Sequence, residues 1–109
     1  MNEVALAGKV SRVGQLKYTP SGKPTLEFTL AVPQRVLDAD SFGYVEVVLF
    51  GNPAEDSAQR LKVGRRISIR GQLWGRSYKN RQGIKVNETK VICASLELAE
   101  AKDSLGDRK

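Results

Sequence analysis

The segment from Arg65 to Tyr78, RRISIRGQLWGRSY, alternates between two unlike sets of residues. Successive side chains of a β-strand point to opposite faces of a sheet, so an alternation with a period of two predicts a strand here. One set is apolar or small and predicts a face packed on the core: Ile67, Ile69, Gly71 and Leu73. The other set is basic, polar and aromatic: Arg66, Ser68, Arg70, Gln72, Trp74, Arg76 and Tyr78.

The second set contains no carboxylate, whereas a solvated strand face ordinarily carries charges of both signs. Cations that alternate with aromatic rings are typical of a surface that binds a polyanion with flat bases. A purely structural interpretation is also open, in which Trp74 and Tyr78 cover the core and the arginines only keep the strand soluble.

The distribution of charge favours the binding interpretation. The net charge is +6, and residues 60–90 hold ten Lys and Arg against one acid, Glu88, which leaves eight bases and eleven acids elsewhere. A charge needed only for solubility can be spread over the whole chain. A regional excess of cations is what a phosphate-binding surface requires.

The composition excludes several kinds of site. The chain has no histidine and one cysteine, Cys93, so a disulfide within the chain, a cysteine–histidine zinc site and histidine-dependent catalysis are excluded, and no cofactor is expected. Two pairs of neighbouring acids, Asp38 with Asp40 and Glu55 with Asp56, lie in a predicted loop and a first helical turn, where acids are ordinary. An enzyme is therefore not expected, and Cys93 is predicted to be a small buried residue.

One domain of 109 residues is predicted, with no membrane partner and a cytoplasmic location. No apolar run approaches the roughly 20 residues of a membrane span, and the first residues do not have the layout of a secretory signal.

The remaining alternation predicts four more strands. In the first of these strands, Val4–Val10, Gly8 predicts a bend or a close backbone approach. Pro33 is expected to end the second, Thr25–Val32, and a surface loop is expected over Gln34–Phe42. The four strands are Val4–Val10, Thr25–Val32, Tyr44–Phe50 and about Ile84–Leu98.

One helix of about three turns is predicted between the third and fourth strands, with Asn52 as N-cap, Pro53 in the first turn and Gly64 at its end. Five strands with a helix after the third match an all-β, five-stranded oligonucleotide-binding (OB) barrel. A small sandwich or another five-stranded barrel fits the periodicity almost as well.

Five short motifs, in order and in register, resemble those of the bacterial single-stranded DNA-binding protein (SSB) family over residues 2–98. They are Lys17-Tyr18-Thr19-Pro20-Ser21-Gly22, Phe28-Thr29-Leu30-Ala31, Val47-Val48-Leu49-Phe50-Gly51, Ala54-Glu55 and Gly71-Gln72-Leu73.

This resemblance implies an OB barrel that wraps single-stranded DNA around aromatic and basic side chains during replication, recombination or repair. Tyr44, Tyr78 and Phe50 match stacking positions of the family. The resemblance also implies a homo-oligomer, either a tetramer or a dimer, in the bacterial cytoplasm and associated with the nucleoid, with replication or primosome proteins as further partners. The expected DNA-binding residues are Tyr44, Phe50, Arg66, Arg70, Trp74, Arg76, Tyr78, Lys79, Arg81 and Lys85.

Three positions depart from the family pattern. Val36 replaces a stacking tryptophan, Val45 replaces an interface histidine, and Glu46 stands where a base is common. Residues 1–98 are expected to form the OB domain and residues 99–109 a short flexible tail without the acidic tip usual in the family. A bare barrel similar to primosomal replication protein N, an adaptor between single-stranded DNA and replication-restart proteins, is the alternative, and a protein-interaction module without nucleic acid is a third.

Overall fold

The computed structural model describes residues 1–99, which contain six strands and one helix. The strands are β1 (Val4–Val13), β2 (Lys17–Tyr18), β3 (Pro24–Val36), β4 (Ala39–Phe50), β5 (Arg66–Lys79) and β6 (Lys85–Leu98), and the helix is α1 (Asn52–Ala58). The prediction of a flexible tail over residues 99–109 lies outside the described residues, apart from Ala99.

The five long strands close into a barrel. The strand order is β1-β5-β6-β4-β3-β2, and β1 also pairs with β3, so that the sheet returns to its starting strand. The β4–β6 contact is parallel and the other pairings are antiparallel. With α1 between the third and fourth of the long strands, this arrangement confirms the predicted OB fold.

The inward faces of the strands form one core. In the described part of the chain, its largest fully buried side chains come from β1, β3, β4 and β6: Phe28, Leu26, Leu30, Leu49, Val10, Val47 and Val91. Ala54 of α1 and Leu61 beyond the helix pack against the same cluster. Cys93 is 9% exposed, so its predicted burial is confirmed.

Two glycines allow strands to approach closely at curved parts of the barrel. A Cβ at Gly8 would overlap the carbonyl oxygen of Ala31, which confirms the close approach predicted for β1. A Cβ at Gly71 would overlap the carbonyl oxygen of Ile92, where the β5–β6 register shifts between Arg70 and Gly71. Bulges of this kind bend a sheet locally and help a barrel to close.

The prediction that Pro33 ends a strand and that Gln34–Phe42 is a loop is wrong. β3 continues to Val36 and pairs with β4 in unbroken register, Pro33 lying opposite Phe42. Beyond Ala31, β3 pairs with β4 but no longer with β1, so Pro33 lies where one edge of β3 has no β1 partner. A proline, which lacks an N–H group, is tolerated at such an edge. Leu37 and Asp38 form the tight connection, with φ angles of 51° and 65°, as two-residue hairpin loops require.

The helix is shorter than predicted. α1 has seven residues, and its N-cap is Gly51 instead of Asn52. The carbonyl oxygen of Ser57 accepts hydrogen bonds from the N–H groups of both Arg60 and Leu61, an ordinary ending for a helix. Leu61 lies beyond the end of the helix but is buried, with 4% of its surface exposed. The apolar spacing therefore predicted a core residue correctly but overestimated the length of the helix.

The predicted core face of β5 is correct for only part of its length. Ile67 and Ile69 are buried, but Leu73 is 51% exposed. Leu73 lies opposite Val91, the last level at which β6 contacts β4, so the part of the β5–β6 hairpin from Trp74 onward projects past the barrel. All residues of β5 from Gln72 to Lys79 are therefore exposed, whichever face they belong to.

Candidate nucleic-acid interface

The outer face of β5 presents the aromatic residues that the alternation predicts. Trp74 is 39% exposed and Tyr78 is 41% exposed, while Ile67 and Ile69 on the opposite face are nearly fully buried. Trp74 and Tyr78 are four residues apart on the same face of β5, and Arg76 lies between them on that face. Both rings are therefore accessible from solvent.

Arg76 contacts both rings. Its Cζ atom lies 5.7 Å from the centroid of the Trp74 ring and 4.8 Å from that of the Tyr78 ring. Distances below about 6 Å bring a guanidinium within range of the negative face of an aromatic ring. Arg76 thus connects the two exposed rings into a row of ring, cation and ring.

The same arginine forms an ion pair across the hairpin. Arg76 lies opposite Glu88 in the β5–β6 register, and its Nε donates a hydrogen bond of 2.8 Å to Oε1 of Glu88. This hydrogen bond lowers the pKa of Glu88 below its ordinary value, and Lys90 lowers it further. It also raises the pKa of Arg76. The pair is fully charged at neutral pH.

Lys90 extends the row of charges to the far side of β4. Its Nζ lies 3.1 and 3.2 Å from the two carboxylate oxygens of Glu27 on β3 and 3.8 Å from Oε2 of Glu88. Val48 of β4, opposite Glu27, is 5% exposed although it belongs to the outer face of the sheet. Arg76, Glu88, Lys90 and Glu27 together form a row with no net charge, which we call the central ion row.

The outer face of β4 presents the other two predicted aromatic residues. Tyr44 is 67% exposed and Phe50 is 40% exposed, and both have the same parity as Val48. Glu46 lies between Tyr44 and Val48, where its Oε2 accepts a hydrogen bond of 3.2 Å from Thr29 and one of 3.4 Å from Arg12. This acid is therefore already paired on the barrel surface.

The remaining predicted cations lie at the two ends of the β5–β6 hairpin. All five are exposed: Arg66, Arg70, Lys79, Arg81 and Lys85. Lys79 and Lys85 are directly opposite each other in the register, an arrangement that is unfavourable for like charges. Arg81 lies in the connecting turn, which Asn80 holds by accepting hydrogen bonds from the N–H groups of Gln82 and Ile84.

The fold thus separates the predicted residues into groups. The three residues of the aromatic row, Trp74, Arg76 and Tyr78, are in contact, the turn cations lie together, and Arg66 and Arg70 lie near the start of β5. Arg66 also lines a groove of about 710 Å³ at that end, with Gly8, Phe42 and Leu98. This groove is distant along β5 from the aromatic row.

The sequence interpretation did not include Glu27, Glu88 and Lys90 in the site. For Glu88 and Lys90 a signal was present, because they share the parity of one face of β6 and lie opposite Arg76 and Trp74 in the hairpin. Glu27 gave no such signal. Its contact with Lys90 depends on the barrel placing β6 and β3 on either side of β4.

Residues 1–99 contain no group of three or more Cys, Asp or Glu side chains placed to hold a metal ion. Within the same residues, no helix has both the length and the apolar character needed to cross a membrane.

Comparison with known proteins identifies the family. The model of the Single-strand binding protein family matches residues 1–99. Single-stranded DNA-binding protein 1 of Streptococcus pyogenes serotype M18 (strain MGAS8232) is 32% identical over 107 residues, covering 95% of this chain and 82% of that protein. Single-stranded DNA-binding protein 4 of Streptococcus agalactiae serotype V (strain ATCC BAA-611 / 2603 V/R) is 33% identical over 107 residues, covering 95% and 78%.

A third relative is longer than the matched region. The single-stranded DNA-binding protein of Enterococcus faecalis (strain ATCC 700802 / V583) is 30% identical over 111 residues, which cover 99% of this chain and 59% of that protein. The match includes nearly all of this chain but leaves about two fifths of that relative unmatched. The family resemblance inferred from the sequence motifs is confirmed, and the chain belongs to the Single-strand binding protein family.

Proposed function

We propose that this chain binds single-stranded DNA with little sequence preference, by stacking bases on aromatic side chains and pairing phosphates with cations. The observation that carries the proposal is the exposed row of Trp74, Arg76 and Tyr78 on the outer face of β5. Each base stacked on an aromatic side chain contributes about 1 to 3 kcal/mol, and the face of any base is suitable for such a contact.

The polar groups of this surface do not favour reading of base edges. Arg76 is already hydrogen-bonded to Glu88, and Lys90 is held between two carboxylates. Sequence readout requires donors and acceptors held in a groove and directed at base edges. Only a modest bias between bases is expected, arising from differences in stacking strength.

The cations at the ends of the hairpin are assigned to phosphates. Lys79 and Lys85 repel each other across the register, so a phosphate near them would relieve an unfavourable contact. Arg66 and Arg70 at the other end extend the basic surface along β5. With the rings between these two groups of cations, bases are expected near the middle of the hairpin and phosphates toward its ends.

The cellular role that follows is protection of single-stranded DNA during replication, recombination or repair in the bacterial cytoplasm, with no catalytic step. The alternative adaptor role, similar to primosomal replication protein N, is not favoured, because the relatives reported above are named single-stranded DNA-binding proteins.

The active form is proposed to be a homo-oligomer. The first part of β1, from Val4 to Gly8, pairs with β5, whereas its pairing with β3 begins at Lys9. One edge of this segment thus has no strand partner among residues 1–99, and such an edge favours pairing with another chain. Sedimentation that detects only a 12.0 kDa monomer at micromolar concentration would contradict this part of the proposal.

The proposed function is tested by titrating the intrinsic fluorescence of Trp74 with oligo(dT) of increasing length at two salt concentrations. Binding is expected to weaken steeply with salt, with a log–log slope of about −0.7 for each phosphate neutralised. Weak competition by a duplex of equal length is also expected. A duplex that competes as well as oligo(dT), or no binding at all, would show that the function is wrong and would favour a protein-interaction module.

A further inference from the structure

Glu88 is the only acid among residues 60–90, and it lies inside the proposed DNA surface. Its neighbours on β5 and β6 are Arg76 and Lys90, and its side chain is 28% exposed. A carboxylate at this place repels the phosphates that the surrounding cations attract. An acid that served only to keep the surface solvated would not be expected at this place, so the position of Glu88 favours a role in DNA binding.

The geometry of Glu88 resembles that of a bound anion. One carboxylate oxygen accepts the 2.8 Å hydrogen bond from Arg76, and the other lies 3.8 Å from the ammonium of Lys90. A DNA phosphate would use the same two cations in the same way, one oxygen to each. Glu88 thus occupies the cation positions that a phosphate would otherwise take.

Arg76 remains accessible in spite of this pairing. Its side chain is 55% exposed, whereas that of Lys90 is 19% exposed and is also paired with Glu27 at 3.1 Å. A phosphate can therefore reach Arg76 more readily than Lys90. Loss of Glu88 would leave Lys90 with its closer partner but would leave Arg76 without an acid partner among residues 1–99.

We propose that Glu88 is an intramolecular competitor of DNA phosphate that holds Arg76 over the rings of Trp74 and Tyr78 and so limits both the affinity for single strands and its dependence on salt. This inference rests on the proposed function. In the wild-type protein Arg76 is a positioning residue for the rings, and in the absence of Glu88 it becomes a phosphate ligand.

The test compares Glu88→Gln with Asp56→Asn, measured by oligo(dT) binding over a series of salt concentrations. Both substitutions are close in size to the residue replaced and remove one negative charge, but Asp56 is an exposed residue of α1 with no ion pair to residues 1–99. Glu88→Gln is expected to bind several-fold more tightly at low salt, with a log–log slope steeper by about 0.7, the value for one additional phosphate. Asp56→Asn is expected to change neither quantity appreciably.

The double variant Arg76→Ala with Glu88→Gln identifies the cation involved. It is expected to lose the steeper slope, because the guanidinium that gains the phosphate is absent. A gain that persists in the double variant, or an equal gain in Asp56→Asn, would mean that overall charge is responsible and would overturn the inference.

Two further outcomes also decide the matter. If wild-type protein binds oligo(dT) but Glu88→Gln binds more weakly or with an unchanged slope, Glu88 only supports the rings and the inference is wrong, while the proposed function stands. If wild-type protein does not bind, both are wrong. If circular dichroism shows that Glu88→Gln does not fold, Arg76→Ala and Arg70→Ala are compared instead. Arg70→Ala is expected to reduce the log–log salt slope by about 0.7, and Arg76→Ala by much less, because Arg76 is already paired with Glu88. Equal reductions in the two variants would overturn the inference.

Discussion

The ammonium of Lys90 lies 3.1 Å from Oε1 of Glu27, although the two residues belong to strands that are separated by β4. This contact closes the central ion row, which continues through Glu88 to Arg76. The middle of the proposed DNA surface is consequently neutral and bordered by rings, while exposed cations lie toward the ends of the hairpin. Ion pairs open to solvent add little to stability, and Arg76 is 55% exposed, so we attribute its pair with Glu88 mainly to the arrangement of the surface.

Trp74→Ala is expected to weaken oligo(dT) binding by about 1 to 3 kcal/mol, about 5- to 150-fold, because one stacking surface is lost. Stability should change little, since the ring is 39% exposed. Trp74→Phe, which keeps a ring, is the matched control and should retain most of the affinity. Affinity is measured by anisotropy of a labelled oligo(dT), and stability by thermal unfolding. Early melting with unchanged affinity would assign Trp74 to the core instead.

Arg70→Ala is expected to lower affinity to a similar degree for oligo(dT), oligo(dC) and mixed sequences. Arg70 is exposed on β5, and no acid among residues 1–99 forms an ion pair with it, so its charge can neutralise a phosphate. The log–log salt slope should become shallower by about 0.7. Lys23→Ala, which removes the same charge from an exposed position between β2 and β3, is the control for net charge. An unchanged slope would indicate that Arg70 only contributes to solubility.

Gly71→Ala is expected to destabilise the fold by about 1 to 3 kcal/mol, because the added Cβ would overlap the carbonyl oxygen of Ile92 at the β5–β6 register shift. Gly43→Ala is the control, since a Cβ there would meet only the movable amide of the Gln34 side chain. Urea unfolding of both variants measures the difference. Equal stability of the two variants would mean that the bulge adjusts without cost.

The thiol of Cys93 is expected to be unreactive in the folded protein. Burial raises its pKa to about 11, and its Sγ donates a hydrogen bond of 3.1 Å to the carbonyl oxygen of Ser95. At pH 8 a disulfide reagent should label the native protein slowly and the urea-unfolded protein quickly. Rapid labelling of the native protein would mean that this end of β6 opens readily.

The same raised pKa predicts a loss of stability at high pH. The unfolded thiol ionises near pH 9, below the pKa of the folded state, so Cys93 favours folding below about pH 9 and that contribution declines between pH 9 and 11. Urea midpoints should therefore fall more steeply over this range for wild type than for Cys93→Ala. Parallel curves for the two proteins would contradict the shift.

The alternation of β5 was enough to predict a strand with one buried face at Ile67 and Ile69, because the period of side chains in a strand is a local property. It was not enough to predict the exposure of Leu73. That exposure depends on where β4 stops covering the hairpin, which is a property of the barrel. Likewise, the charges around Leu37 and Asp38 indicated a loop, but the backbone there forms a two-residue hairpin turn that depends on the pairing of β3 and β4.

By itself, the sequence determined the five long strands, the single helix, the family and the aromatic and basic character of one strand face, since each depends on residue type, parity or short motifs. Only the tertiary structure decided which acids pair with those cations. Glu88 is twelve residues from Arg76, and Glu27 is sixty-three residues from Lys90. The first pair depends on the register of the β5–β6 hairpin, and the second depends on the barrel placing β6 and β3 on either side of β4. A count of charges along the chain therefore cannot distinguish a cation paired with an acid from one that is not.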